Sequence, residues 1–293
     1  MLDIYKILIT LSIFSLSLSI STTDYYKDTD EDGYTDRQEK HFGSDPNDDS
    51  SVIYKGGWPY NMYKDNIADP GFGSCSNLPY GNGCDCTDDS QCSPGSICGY
   101  QFQTRQCVPV AGAKVPRFIG IDQFGDYFDL YDLAKQGYPI VVEISTMYMQ
   151  QANLLSAWLS NGDEGVFEMR WWQDNFEHMK SIVDAGEVYY VRIFHRGATK
   201  GESVNSDDVA IWHDAYPHLN VINISDPQER MKTWFRPTGL PCVFMLNEDM
   251  TMRIPAEGIS GDTQMRRGIQ KAFEGVMFDN YMKTMNPEGP TNQ

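Results

Sequence analysis

The chain has few basic residues for its acidity. Its 293 residues include 23 lysines and arginines against 41 aspartates and glutamates, which gives a net charge of −18. Nucleic acids and anionic membrane faces are bound through basic patches, so the net charge argues against both as partners. With 41% hydrophobic and 13% aromatic residues, it predicts a globular protein with one full core and smaller modules.

Long apolar runs are also scarce. The run Ile7–Ile20, preceded by Lys6, is too short to span a bilayer comfortably, and no Ala-x-Ala cleavage site follows it. We interpret residues 1–21 as a secretory signal peptide, with an uncleaved anchor as the alternative. The rest of the sequence has no transmembrane candidate. These features predict an exported protein (extracellular, periplasmic or on the cell surface) with no stable membrane span after signal cleavage.

Residues 22–56 contain a calcium-loop pattern. Oxygen-bearing residues occupy loop positions 1, 3, 5, 7, 9 and 12, and Gly33 at position 6 permits the sharp turn. This is the EF-hand spacing, and calcium is a hard cation that takes several oxygen ligands at once. The alternative is a disordered acidic linker. The predicted ligands are Asp28, Asp30, Asp32, the carbonyl of Tyr34, Asp36 and Glu39.

The residues after this loop, Gly43-Ser44-Asp45-Pro46, resemble the step that follows each loop in thrombospondin type 3 and dockerin-like repeats. The resemblance implies a calcium-binding segment of an exported protein. Only one full loop is present, so a tandem array is excluded.

Residues 57–112 contain a cysteine-rich segment. In an exported chain, six closely spaced cysteines predict a small module held together by disulfides, and the sequence does not choose among the possible pairings. The alternative is a zinc or iron–sulfur site. The spacing of Cys84-Asp85-Cys86 and the lack of a histidine in the module argue against it. The six residues are Cys75, Cys84, Cys86, Cys92, Cys98 and Cys107.

Two strand signatures organise residues 113–290. Ile140–Ser145 is an apolar, β-branched run that predicts a buried strand, and an amphipathic helix pattern follows Met149. Gly239–Leu246 predicts a second strand opened by Leu240-Pro241. Together they resemble the thioredoxin-like fold in its redoxin or thiol-antioxidant branch.

The resemblance implies an α/β fold with a central mixed sheet flanked by helices, and a cis Pro241 beside the first strand. It also places Met149 and Ala152 where the family has its two redox cysteines. Both thiols are therefore missing. The remaining predicted helices and strands are helices at Val166–Val183, Asp207–Tyr216, Pro227–Phe235 and Asp262–Met282, and strands at Val188–His195, Leu219–Ile224 and Thr251–Ile254.

Cys242 is the seventh, odd cysteine, and the resemblance places it next to the altered motif. Three interpretations are open: a small buried hydrophobe, a reactive thiol, or a soft-metal ligand acting with Met147 and Met149. His195, at a predicted strand end, is either a structural residue or a further ligand or base.

Two function classes remain open from the sequence. The favoured hypothesis is an exported calcium-binding protein whose thioredoxin-like domain is non-catalytic and serves binding or assembly with another exported or cell-surface protein. The rival is an exported redoxin-type thiol–disulfide oxidoreductase or peroxidase that acts through Cys242 or a cysteine of the module.

Overall fold

The computed structural model describes residues 25–101, 103–254 and 262–285. The predicted signal peptide, residues 1–21, lies outside these ranges. The chain divides between Ile53 and Tyr54 into two compact units. Within the described ranges, every helix is too short or too polar to cross a membrane.

The first unit contains helix α1 (Asp36–Phe42), which begins inside the predicted calcium loop. Thr35 forms a capping box: its side chain accepts from the Gln38 amide, and the Gln38 side chain accepts from the Thr35 amide. Gly43 ends the helix in the left-handed region, with φ of 104°. The last four positions of the loop therefore lie on a rigid first turn.

The second unit contains the strands and the remaining helices. The strands are β1 (Ser96–Gln101), β2 (Thr104–Pro109), β3 (Ile119–Asp122), β4 (Tyr127–Asp129), β5 (Ile140–Ser145), β6 (Tyr189–Phe194), β7 (Val221–Ser225), β8 (Cys242–Leu246) and β9 (Met252–Ile254). The helices are α2 (Gln150–Asn161), α3 (Glu177–Asp184), α4 (Ser206–Ala215), α5 (Arg230–Phe235) and α6 (Asp262–Met285).

Seven strands form one mixed sheet in the order β4-β3-β7-β6-β5-β8-β9. The central strands β5, β6 and β7 are parallel, and the strands added on both sides are antiparallel. Every residue of β5 is buried because the sheet is covered on both faces, which explains why most of its residues are apolar. The predicted α/β architecture, a mixed sheet flanked by helices, is confirmed. The Leu240–Pro241 bond is cis, as predicted.

The predicted helix over Val166–Val183 is wrong in its first half. Two short 3₁₀ turns, Glu164–Glu168 and Asp174–Phe176, precede α3. Aromatic packing accounts for the break, because Phe167 stacks on Trp172 with ring centroids 4.7 Å apart. An unbroken α-helix would place these two residues, five apart, on different faces.

The cysteine-rich segment contains the β1–β2 hairpin, and its six cysteines form three disulfides. The predicted disulfide module is confirmed. The pairs, which the sequence left open, are Cys75–Cys84, Cys86–Cys98 and Cys92–Cys107.

Residues 54–66, which we call the strap, are fastened to the main sheet domain through a buried carboxylate. Asp132 accepts hydrogen bonds from the Tyr54 hydroxyl at 2.5 Å, the Asn61 amide at 2.8 Å and the Lys64 ammonium at 2.7 Å. A second anchor joins the Trp58 indole N–H to Asp122 at 2.7 Å. The strap is therefore part of the second unit rather than a linker.

Candidate functional site

Three carboxylates converge in the predicted calcium loop. One oxygen from each of Asp28, Asp30 and Asp32 lies within 4.8 Å of the others. Backbone hydrogen bonds hold this geometry: the Glu31 amide donates to Asp28 Oδ1 at 2.8 Å and the Gly33 amide to Asp28 Oδ2 at 3.1 Å. Gly33 has φ of 98°, a conformation that a glycine adopts without strain. The loop therefore folds its alternate side chains inward.

Several carboxylate oxygens of the predicted calcium ligands are buried and have no hydrogen-bond partner. They are both carboxylate oxygens of Asp30, Asp32 Oδ2 and Glu39 Oε2. The Glu39 side chain is fully buried, and its other oxygen accepts from the Ser44 hydroxyl at 3.2 Å. Burial, together with Asp30 and Asp32, raises the pKa of Glu39. A divalent cation would satisfy these oxygens and offset the repulsion, so the residues fit calcium.

The two remaining predicted ligands, Asp36 and Tyr34, make hydrogen bonds within the loop. The Asp36 carboxylate accepts from the Thr29 amide at 2.9 Å and the Thr29 hydroxyl at 2.7 Å, so one of its oxygens closes the loop backbone. Position 9 of EF-hand loops often reaches the metal through water, which agrees with this arrangement. Tyr34 is buried, and its amide donates to Asp32 Oδ1 at 2.8 Å.

The turn that the resemblance aligns with a thiol motif lies at the start of α2. Met149 is the N-cap residue and is half-buried, and Ala152 in the first turn is fully buried. The Asn153 side chain fixes the turn by donating to the carbonyls of Met147 at 3.0 Å and Met149 at 2.8 Å. Below it, Met147 and Ala152 pack with Phe194 and other apolar side chains in one cluster. Met149 and Ala152, the two positions that the resemblance assigns to redox cysteines, are therefore apolar and packed.

Cys242 and His195 are both buried in neutral forms. Cys242 pairs with Ile144 across β8 and β5, and burial raises the pKa of its thiol far above the usual range. Burial, aided by Lys232, lowers the pKa of His195 to about 4. Thiol chemistry needs a thiolate, so the environment of Cys242 favours the buried-hydrophobe interpretation.

A buried ion pair between Glu143 and Arg192 was not predicted from the sequence. The two side chains are 0% and 2% exposed and lie on neighbouring strands. The sequence did indicate that a partner exists, because Glu143 lies in the middle of the predicted buried strand Ile140–Ser145 and a buried charge needs one. The partner itself could not be identified, because it comes from a strand that is distant in sequence.

The connection of the strands decides the fold of residues 113–290. Strand β5, helix α2 and the parallel strand β6 form one half, and β8, β9 and α6 form the other, with β8 beside β5. Strand β7 extends the sheet beyond β6. This domain has a thioredoxin-like fold.

Comparisons with known proteins give matches only among solved structures, at low identity. Neither a family model nor a curated protein matches the chain. Among solved structures, the thioredoxin-like domain is similar to the peroxidoxin BcpB of Mycobacterium tuberculosis, with 16% identity and a TM-score of 0.39, covering 57% of this chain and 96% of that one. The exposed lipoprotein thioredoxin Etrx1 of Streptococcus pneumoniae has 13% identity and a TM-score of 0.35, and the match covers 54% of this chain and 98% of that one. A putative thiol:disulfide interchange protein DsbE of Chlorobium tepidum has 14% identity and a TM-score of 0.35, and the match covers 56% of this chain and 98% of that one.

Proposed function

We propose that this is an exported calcium-binding protein whose thioredoxin-like domain performs no thiol exchange and serves binding or assembly with another exported or cell-surface protein. The observation that carries the calcium part is the fully buried Glu39, whose Oε2 has no partner and whose neighbours are Asp30 and Asp32. A buried carboxylate oxygen without a hydrogen-bond partner is costly, by about 1–3 kcal/mol or more. A bound cation removes that cost.

The donor set favours calcium over magnesium. Asp28, Asp30, Asp32 and Glu39 supply carboxylate groups, each of which can bind calcium through one oxygen or through both. Calcium accepts about six to eight oxygens in flexible geometry, whereas magnesium demands a near-octahedral site and keeps several waters. A disordered acidic linker would leave its carboxylates in water, which differs from the buried oxygens observed.

The positions of the thiols support the absence of catalysis. Among the seven cysteines, six are joined in disulfides, and Cys242 is fully buried. Thiol exchange requires an accessible thiolate and a second thiol that resolves the mixed disulfide. Met149 offers a thioether without an ionisable proton, and Ala152 offers no reactive group. The redoxin-type enzyme remains the second candidate, because the fold is that of such enzymes.

Calcium binding is tested by titration calorimetry of the chain and of two matched variants. Glu39→Gln should abolish the single binding event, since it removes a buried ligand charge. Glu31→Gln removes a carboxylate from the same loop, but that side chain is exposed and outside the predicted ligand set. It should bind as the wild type does. Unchanged binding in Glu39→Gln would place the site elsewhere, for example at Asp45–Asp49.

The binding role is tested by co-purification from the native envelope or medium with and without calcium. A partner retained by the wild type in calcium, and lost in chelator or with Glu39→Gln, is the expected result. Insulin reduction by the wild type with dithiothreitol as electron donor would instead support the enzyme.

A further inference from the structure

A cavity of about 270 Å³ opens beside the strap, at the amino-terminal ends of β6 and β7. Three aromatic side chains line it: Trp58 from the strap, Tyr138 just before β5, and Tyr189 at the start of β6. The Tyr138 and Tyr189 rings meet edge to face with their centroids 5.6 Å apart. Among the described residues, no charged side chain lines the cavity, so it fits an uncharged apolar group better than a nucleotide or a metal ion.

The carboxyl-terminal end of α6 lies at the rim of this cavity. Lys283 donates to the Gly137 carbonyl at 2.7 Å, and its ammonium lies 4.4 Å from the centre of the Tyr138 ring. About one turn earlier, the Asn280 side chain donates to Glu187, whose neighbours on both sides in the chain line the cavity. The chain therefore leaves α6 next to the cavity.

The segment that follows α6, residues 286–293, has a sequence that suits an aromatic cavity. It lies outside the described ranges, and its only hydrophobic side chains are those of Pro287 and Pro290. A polyproline II segment has three residues per turn and rises about 3.1 Å per residue, so these two prolines would share one side, about 9 Å apart. Glu288 would then lie on another side, where it can stay in water. Proline pairs at this spacing dock in aromatic-lined grooves.

We propose that residues 286–293, which we call the tail, dock in this cavity as an internal ligand with both prolines against the aromatic rings. The geometry allows it, because Pro287 is only two positions beyond Met285, the last residue of α6. In an extended form the eight residues of the tail reach up to about 25 Å. The tail can therefore pass from the rim into the cavity without any change in α6.

The covalent connection favours the tail over a separate proline-rich partner. A short tether holds a ligand near its site at an effective concentration in the millimolar range. With an effective concentration of about 1 mM and a dissociation constant of about 0.1 mM for the free peptide, the tail occupies the cavity about 90% of the time. A partner that binds the same cavity must displace the tail, so weak proline-rich ligands are kept out.

Binding of a labelled peptide to the full chain tests the tail as the occupant. The probe is a synthetic peptide of residues 286–293, and fluorescence anisotropy measures its binding. Pro287→Ala/Pro290→Ala removes the anchors of the tail and opens the cavity, so this variant should bind the peptide about tenfold more tightly than the wild type. Asn286→Ala/Thr291→Ala is the matched control, because it changes the same segment but keeps both prolines, and it should behave as the wild type does. Equal binding by the wild type and the proline variant, whether tight or absent, would overturn the proposal.

Substitutions in the cavity test where the peptide binds. In the Pro287→Ala/Pro290→Ala background, Tyr138→Ala removes a lining ring and should weaken peptide binding at least about tenfold. Tyr127→Ala is the matched control, because it removes a tyrosine ring that is 74% exposed and outside the cavity. Leu219→Asp gives a second test that leaves the fold intact, since Leu219 lines the cavity and is 89% exposed. Equal effects of the two tyrosine variants, or peptide binding unchanged by Leu219→Asp, would overturn the assignment to this cavity.

Discussion

Arg192 Nε donates a hydrogen bond of 2.9 Å to Glu143 Oε2 between the two central strands of the sheet. The Tyr190 hydroxyl donates to the same oxygen at 2.8 Å. The guanidinium also lies 6.0 Å from the centre of the Phe194 ring. The pair is thus surrounded by apolar and aromatic groups, and each charge depends on the other for its compensation.

Removing one member of this pair should be strongly destabilising. Glu143→Ala leaves the Arg192 charge buried without a partner, so we expect the free energy of unfolding to fall by about 3–5 kcal/mol. Urea denaturation measures it. The control is the double variant Glu143→Met/Arg192→Met, which should recover most of the loss, because well-packed apolar residues can replace a buried ion pair. A double variant as unstable as the single one would contradict this explanation.

His195 should make the fold less stable on acidification. Burial lowers the pKa of its imidazole from 6.5 to about 4, so the unfolded chain takes up the proton first. Stability is therefore lost as the pH falls from 6.5 towards 4, by up to about 3 kcal/mol. His195→Gln should flatten the unfolding free energy across this window, as measured by urea denaturation at several pH values. A pH profile parallel to that of the wild type would show that His195 does not titrate as proposed.

Asp132 should act in the opposite direction. Burial raises the pKa of its carboxyl group to about 6 against the attraction of Lys64, while the unfolded value is 3.8. The folded state then binds the proton first, so this group adds stability as the pH falls from 6 to 4. Asp132→Asn removes that contribution, and its stability should decrease more steeply with acidification than that of the wild type. The slopes are compared by urea denaturation, and a flatter slope than the wild type would refute the assignment.

The Cys242 thiol should be unreactive in the folded protein. It is fully buried and its pKa is raised by burial, so both the access and the thiolate that a thiol reagent needs are missing. Ellman's reagent should detect one thiol in denaturant and almost none in the native state. Met149→Cys provides the positive control, since its new thiol lies at a half-buried helix N-terminus and should react quickly. Rapid labelling of native wild type would revive the enzyme hypothesis.

Restoring both cysteines should restore thiol chemistry. Met149→Cys/Ala152→Cys places an attacking thiol at the N-terminus of α2, where the helix dipole lowers its pKa, and a resolving thiol in the first turn. We expect measurable insulin reduction with dithiothreitol from this variant, and only the uncatalysed background from the wild type and from Met149→Cys alone. Turnover by the wild type that Cys242→Ser abolishes would show that the domain is an enzyme.

Local patterns predicted the parts of the molecule that depend on nearby residues. Ile140–Ser145 was predicted to the residue, because a short, largely apolar and β-branched run after a proline is typical of a buried strand. The six disulfide cysteines were predicted as a set, but their pairing depends on the three-dimensional path of the loop. The strap was missed because its contacts, such as Trp58 to Asp122, join residues 64 positions apart. A carboxylate in the sequence gives no indication of which distant donor it accepts.

The strap also determines how the disulfide module is held. Before the module, the chain is fixed at Asp132. After it, Arg117 donates to Asp129 and to Asp65, both at 2.6 Å. Both ends of the module are thus anchored on the same domain. The module resembles a domain insertion rather than a separate domain joined by a flexible linker. A protease that cuts once inside the module would therefore release neither fragment. A partner bound to the module would be held in a fixed orientation relative to the thioredoxin-like domain, rather than moving freely on a flexible linker.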